Sequence, residues 1–171
     1  VTMISSLSRN IHLGHMGLMN GNWDRHKLVG NELRGKTLGV VGLGKIGIEV
    51  IKRCLSFDMK ILGFDPYVSQ DQFDESEIRI VSIDELTKNS DYISLHVPLN
   101  EKTKDLFDLN RIKMMKKTSR IINVARGGIV NENDLSKALN EELISGAAID
   151  VFTKEPIDCL LYTSPSPRDP E

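Results

Sequence analysis

Cysteine is nearly absent: the 171 residues hold two, Cys54 and Cys159. That number supports neither a disulfide framework nor a cysteine metal site, so both are expected to be free thiols, as suits a reducing cytoplasm. Charge of one sign is not in excess either. Lys and Arg total 22 against 24 Asp and Glu, for a net charge of −2 with both signs interspersed. Such a balance argues against a nucleic-acid partner or an anionic membrane surface. No run of about 18 apolar residues is available to span a bilayer. The segment from Val1 to Asn10 lacks the charged start and long apolar core of a secretory leader. With 40% hydrophobic residues, the chain can bury one good core and has the size of one domain.

What is present is concentrated between Lys36 and Asp65. Leu38 to Val41 is an apolar, β-branched run with the length of a buried strand, and Gly42, Gly44 and Gly47 then give G-x-G-x-x-G. The pattern Ile46, Val50, Ile51, Leu55 predicts a helix from about Lys45 to Phe57, and Lys60 to Phe64 reads as a second strand ending in Asp65. In this context the three glycines do different things. Gly42 allows the tight turn, Gly44 lets backbone approach a pyrophosphate, and Gly47 lets helix pack closely on sheet. The helix N-terminus then meets the phosphates with free N–H groups and the positive end of its dipole. Asp65 is placed to accept hydrogen bonds from ribose hydroxyls and to repel a 2′-phosphate. No Lys or Arg follows it before Arg79, so NAD is favoured over NADP.

Strand and helix patterns alternate from Lys36 to about Asp150, which predicts an α/β fold with a doubly wound parallel sheet, Rossmann-type, in strand order 3-2-1-4-5-6. A short strand falls at Arg79 to Val81, and Ser82 with Glu85 forms a capping-box start for a helix to about Asn89. Strands at Tyr92 to His96, Arg120 to Val124 and Gly146 to Asp150 follow, separated by helices near Asn110 to Lys116 and Asn133 to Glu142. Residues 1–33 read as a connecting arm with a helical pattern through Met3, Ile4, Leu7 and Ile11. Residues 34–157 are the nucleotide-binding domain. Residues 158–171, with three prolines and no periodicity, read as an extended or disordered tail, native or non-native in origin.

These motifs, with the segments Gly-Asn-Trp-Asp-Arg, Leu-His-Val-Pro-Leu, Asn-Val-Ala-Arg-Gly-Gly-Ile-Val and Gly-Ala-Ala-Ile-Asp-Val-Phe-Thr-Lys-Glu-Pro, resemble the NAD-binding domain of the D-isomer-specific 2-hydroxyacid dehydrogenases. The resemblance covers nearly all of residues 20–156. It implies an oxidoreductase that moves hydride between NAD and a small 2-hydroxy acid, in a parent chain that is a homodimer or higher homo-oligomer. By motif, Lys45 and Ile46 correspond to the backbone N–H donors for pyrophosphate, and Val97, Val124 and Ala125 to residues lining the nicotinamide end. Asp150 corresponds to the acid that holds the carboxamide, Arg126 to the arginine that grips substrate carboxylate and carbonyl, and Glu155 to the glutamate that pairs with a catalytic histidine. The residue types suit the chemistry. A guanidinium binds a planar carboxylate bidentately and stabilises developing charge at C2, which a lysine does less well. A histidine held by a glutamate moves a proton near neutral pH.

One departure stands out. The family's catalytic histidine follows the glutamate by some twenty residues in a Pro-His segment, and no histidine follows Glu155 here. His12, His15 and His26 belong to the arm, and His96 to the cofactor loop, where a structural or cofactor-lining role is expected rather than proton transfer. The chain as written is therefore expected to bind NAD while being catalytically incomplete. The same resemblance extends to the C-terminal-binding corepressors, so an NAD-sensing interaction module is the alternative reading. No metal site is expected.

Overall fold

A computed structural model gives the fold; the structure describes residues 1–23, 25–26 and 28–155. The expected tail, 158–171 with Cys159, lies outside the described residues. Two helices open the chain, α1 (Thr2–Arg9) and α2 (Ile11–Met19), joined at Asn10, which takes the left-handed conformation at φ 52 that Asn tolerates better than most residues. The sheet then builds through β1 (Thr37–Val41), α3 (Lys45–Leu55), β2 (Lys60–Phe64), β3 (Arg79–Ile80), α4 (Ile83–Asn89) and β4 (Tyr92–Leu95). It closes with α5 (Leu109–Lys113), β5 (Arg120–Asn123), α6 (Glu132–Asn140) and β6 (Gly146–Ile149).

All six strands are parallel, in the order β3-β2-β1-β4-β5-β6, as the pattern predicts. The order reverses between β1 and β4, and the crevice at that switch point, outside the carboxyl ends of the strands, is where such sheets bind ligands. Helix starts follow local chemistry. Ser82 accepts the Glu85 N–H, Asp108 the Arg111 N–H and Asn131 the Asp134 N–H, each satisfying an orphan donor of the first turn.

Successive strand residues point to opposite faces, and the core divides accordingly. Ile93, Leu95 and Ile121 pack with Leu86 of α4, Ile112 of α5 and Leu135 and Ala138 of α6. Leu38, Val40, Tyr92 and Ile122 pack on the other face with Ile51 and Cys54 of α3, joined there by Ile4 and Leu7 of α1. Helix α1 lies against β5 and β6. Placing residues 1–33 together as an arm thus separates α1 from the core it completes: without Ile4 and Leu7, the α3 side of that half of the sheet would stand uncovered. Helix α2 differs, for it has no buried residue and leaves Ile11, Leu13, Leu18 and Met19 exposed.

Candidate functional site

The carboxyl ends of β1, β2, β4, β5 and β6 bring together the segments that carry the expected site residues. At the end of β1, Gly42 adopts φ 97, and a Cβ there would press on the His96 carbonyl oxygen at 2.7 Å. A Cβ on Gly47 would collide with the Gly42 carbonyl oxygen, so the start of α3 can sit this close to β1 only with glycine at both positions. Gly44 faces open space, with no heavy atom within 4 Å of a built Cβ. As N-cap of α3 it supplies no side-chain cap, so the N–H groups of Lys45 and Ile46 are left at an open, uncapped helix end where an anion is favoured.

Asp65 at the end of β2 is tied to this turn. Its Oδ2 accepts the Leu43 N–H at 3.0 Å, and Oδ1 accepts the Tyr67 N–H at 3.0 Å. Each carboxylate oxygen keeps acceptor capacity for a further donor. The acid is therefore half-buried and oriented by backbone rather than swinging on a free side chain.

After β4, His96 bonds Ser94 Oγ through Nε2 at 2.9 Å, and burial pushes its pKa down to about 4. The ring is therefore neutral at physiological pH. The loop beyond it, with half-buried Val97, is fastened by Thr103, whose hydroxyl donates to the Pro98 carbonyl at 2.6 Å and accepts the Asn100 N–H at 2.8 Å. Ile46 and Leu99 add exposed apolar surface at this edge, as does Val124 after β5.

Arg126 owes its presentation to a residue that the sequence pattern did not single out. Asn123, buried at the end of β5, accepts the Ala125 N–H on Oδ1 at 3.2 Å and donates through Nδ2 to the Arg126 carbonyl at 2.9 Å. This is the local turn that Asn side chains favour, and an Asn between a strand and Arg-Gly-Gly is the signal that could have revealed it. Arg126 is exposed; its Nη1 donates to the Ala125 carbonyl at 2.6 Å, and no carboxylate pairs with it among the described residues.

Gly127 joins this turn to the segment after β6: any Cβ there would collide with the Phe152 carbonyl. Glu155 curls back to accept the Phe152 N–H at 3.1 Å. Glu132, in the first turn of α6, accepts both the Thr153 N–H at 2.6 Å and the Thr153 hydroxyl at 2.7 Å. Glu132 and Thr153, unlike Asn123, are invisible to a sequence reading, since nothing in their spacing shows that they meet. Asp150 stands exposed at the end of β6, its N–H donated to the Asn123 carbonyl. Arg126 and Glu155 lie on adjoining loops with no ion pair between them among the described residues.

The geometry is that of a dinucleotide crevice, and comparison decides the lineage. Residues 1–166 match the family model of the D-isomer specific 2-hydroxyacid dehydrogenase, NAD binding domain. The chain belongs to that family. It is 44% identical over 155 residues to a D-3-phosphoglycerate dehydrogenase of Methanocaldococcus jannaschii, covering 90% of this chain and 30% of that protein. Among solved structures it is similar to the NAD-dependent formate dehydrogenase from Staphylococcus aureus in complex with NAD, at TM-score 0.85 and 36% identity, over 92% of this chain and 47% of that one. It is also similar to the D-lactate dehydrogenase from Aquifex aeolicus complexed with NAD and lactic acid, at TM-score 0.82 and 35% identity, over 90% and 46% of the respective chains. The chain thus spans about a third of its curated relative and about half of these structures. The cofactor of this dehydrogenase family's domain is NAD, and its match begins at residue 1, which takes in α1. Among the described residues no helix is long and apolar enough to cross a membrane.

Proposed function

We propose that the chain is the cofactor-binding part of a cytoplasmic oxidoreductase acting on a D-2-hydroxy acid, with 3-phosphoglycerate as substrate. The observation that carries this reading is the joining of an uncapped helix N-terminus, an oriented Asp65 and an exposed Arg126 with no carboxylate partner among the described residues, at one edge of one parallel sheet. The D-3-phosphoglycerate dehydrogenase relatives favour phosphoglycerate within the class. The fold alone does not choose the substrate, since formate and lactate dehydrogenases share it.

The residues fit the cofactor. Open space at Gly44 would leave room for a pyrophosphate at the Lys45 and Ile46 N–H groups, and Asp65, held by the Leu43 N–H, would receive ribose hydroxyls. Val97, Val124 and Ala125 would line the nicotinamide end, and Asp150 would hold the carboxamide. When bound, NAD accepts or returns the hydride. Arg126 would grip the substrate carboxylate in a bidentate pair and stabilise charge developing at C2. Glu155 would orient a histidine and favour its charged form. No histidine follows Glu155 in this chain, so the proton-transfer step, worth about 10²–10⁴-fold, has no group to perform it.

We also infer that the parent is a homo-oligomer whose subunit contacts use the arm after α1. Exposed Leu18, Met19, Trp23 and Val29 are more apolar surface than a short solvated segment needs. The test is to assay this chain beside its full-length parent with NAD and D-3-phosphoglycerate. Turnover by the parent and none by the chain supports the reading. Turnover by the chain approaching the parent's overturns the assignment of the missing base. A parent that binds NADH but oxidises no 2-hydroxy acid supports an interaction module instead.

A further inference from the structure

The opposite edge of the sheet, at the amino ends of the strands, holds a small cavity of about 140 Å³. Lys36 enters it from before β1, Asp91 and Tyr92 from the start of β4, Thr118 and Arg120 from the start of β5, and Ser145 from before β6. That volume is well below the roughly 300 Å³ at which cofactor and drug-sized pockets begin, so it suits only a compact occupant.

The chemistry of the lining says which kind. Arg120 is only 8% exposed and carries a charge that cannot be titrated away. Its Nη1 donates to the Thr118 carbonyl at 3.2 Å, and its guanidinium lies over the Tyr92 ring, 5.6 Å from the centroid. No carboxylate pairs with it among the described residues. Asp91, the acid in the lining, is committed elsewhere: Oδ2 accepts the Thr37 N–H at 2.8 Å and Oδ1 the Lys116 ammonium at 2.9 Å. Tyr92 is fully buried, and its hydroxyl has no hydrogen-bond partner among the described residues. Buried cations are normally paired, and buried hydroxyls are normally bonded. Here both exceptions fall on neighbouring strands, in contact with each other, at one cavity. With Lys36 and Arg120 against Asp91, the charged lining is net positive, and neutral polar residues Asn31, Thr118 and Ser145 complete it.

We propose that this cavity binds a compact oxyanion, a phosphate or carboxylate group, on the Arg120 guanidinium. The guanidinium fork matches two oxygens of such a group, and Lys36 supplies the second charge. The site lies across the sheet from Gly44 and is independent of the cofactor reading, so either can fail without the other.

The test is an NMR titration of the 171-residue chain with sodium phosphate and, separately, sodium acetate, at constant ionic strength made up with chloride. The two anions distinguish a phosphate ligand from a carboxylate ligand. The expected result is saturable movement of the amides of Asp91, Arg120 and Ser145 with at least one of them, while the Gly44 and Lys45 amides stay fixed. Arg120→Gln should weaken the response at least about tenfold, the loss expected when a charge-assisted bond is removed, with NADH binding unchanged. Should that variant fail to fold, Lys36→Gln at the half-buried rim must weaken the response in the same direction. Absence of saturable shifts with both anions, the same shifts with chloride alone, or an undiminished response in both variants overturns the proposal.

Discussion

The Leu43 N–H donates to Asp65 Oδ2 at 3.0 Å, so the acid at the end of β2 is fastened to the glycine turn at the end of β1. One carboxylate thereby braces the glycine turn. Asp65→Ala should weaken NADH binding by roughly 1.5–3 kcal/mol, the value of hydrogen bonds to a charged group, and narrow the preference over NADPH. Parallel titrations of both cofactors measure it. Equal or tighter NADPH binding by the unmodified chain would contradict the role given to Asp65.

The helix α1 is held by Ile4 and Leu7, buried in one cluster with Leu38, Tyr92 and Ile122. Ile4→Ala should cost about 2–5 kcal/mol in chemical denaturation, in the range for truncating a buried aliphatic side chain. A loss within about 0.5 kcal/mol, typical of surface positions, would return α1 to the arm.

Much of this fold is legible without coordinates. The strands announce themselves because each is a short apolar run closed by a turn signal, and their order follows from the switch at the glycine turn. The Ser82 cap has a local signature too. The place of α1 is hidden because Ile4 and Leu7 form a stripe that a docking arm and a core helix would share. In the site, residues that would touch the cofactor lie inside motifs, but those that hold them do not. Glu132 and Thr153 are far apart in the chain and meet only where the segment after β6 reaches the first turn of α6. Asn123 sits inside its motif, overshadowed by the arginine it positions.

Gly127 is fixed by the Phe152 carbonyl, which occupies the space a side chain would need. Gly127→Ala should force the Arg126 turn and the Phe152–Glu155 segment apart, at a cost of about 1–3 kcal/mol as for other overpacking changes. Hydrogen exchange at the Thr153 N–H, bonded to Glu132, reports the separation. Unchanged stability and exchange would show that the two loops are not mutually held.

His96 links stability to pH. Its folded pKa of about 4 lies below the ordinary value of 6.5, so the unfolded chain binds the proton more readily. Stability from this residue's neutral burial is full above about pH 6.5 and is lost as pH falls toward 4, where the folded form also protonates. Denaturation curves across that window should show His96→Gln with a shallower acid loss than the unmodified chain. Superimposable pH dependence would remove His96 as the cause.

Whether this chain folds into a working NAD site by itself is decided by calorimetric titration of the folded 171-residue chain with NADH. The expected outcome is one saturable binding event per chain, abolished or strongly weakened when Gly44 is replaced by a bulky residue that closes the approach to the Lys45 and Ile46 N–H groups. A folded chain that takes up no NADH, or one that binds it unchanged with Gly44 blocked, would contradict the assignment of the crevice as the cofactor site.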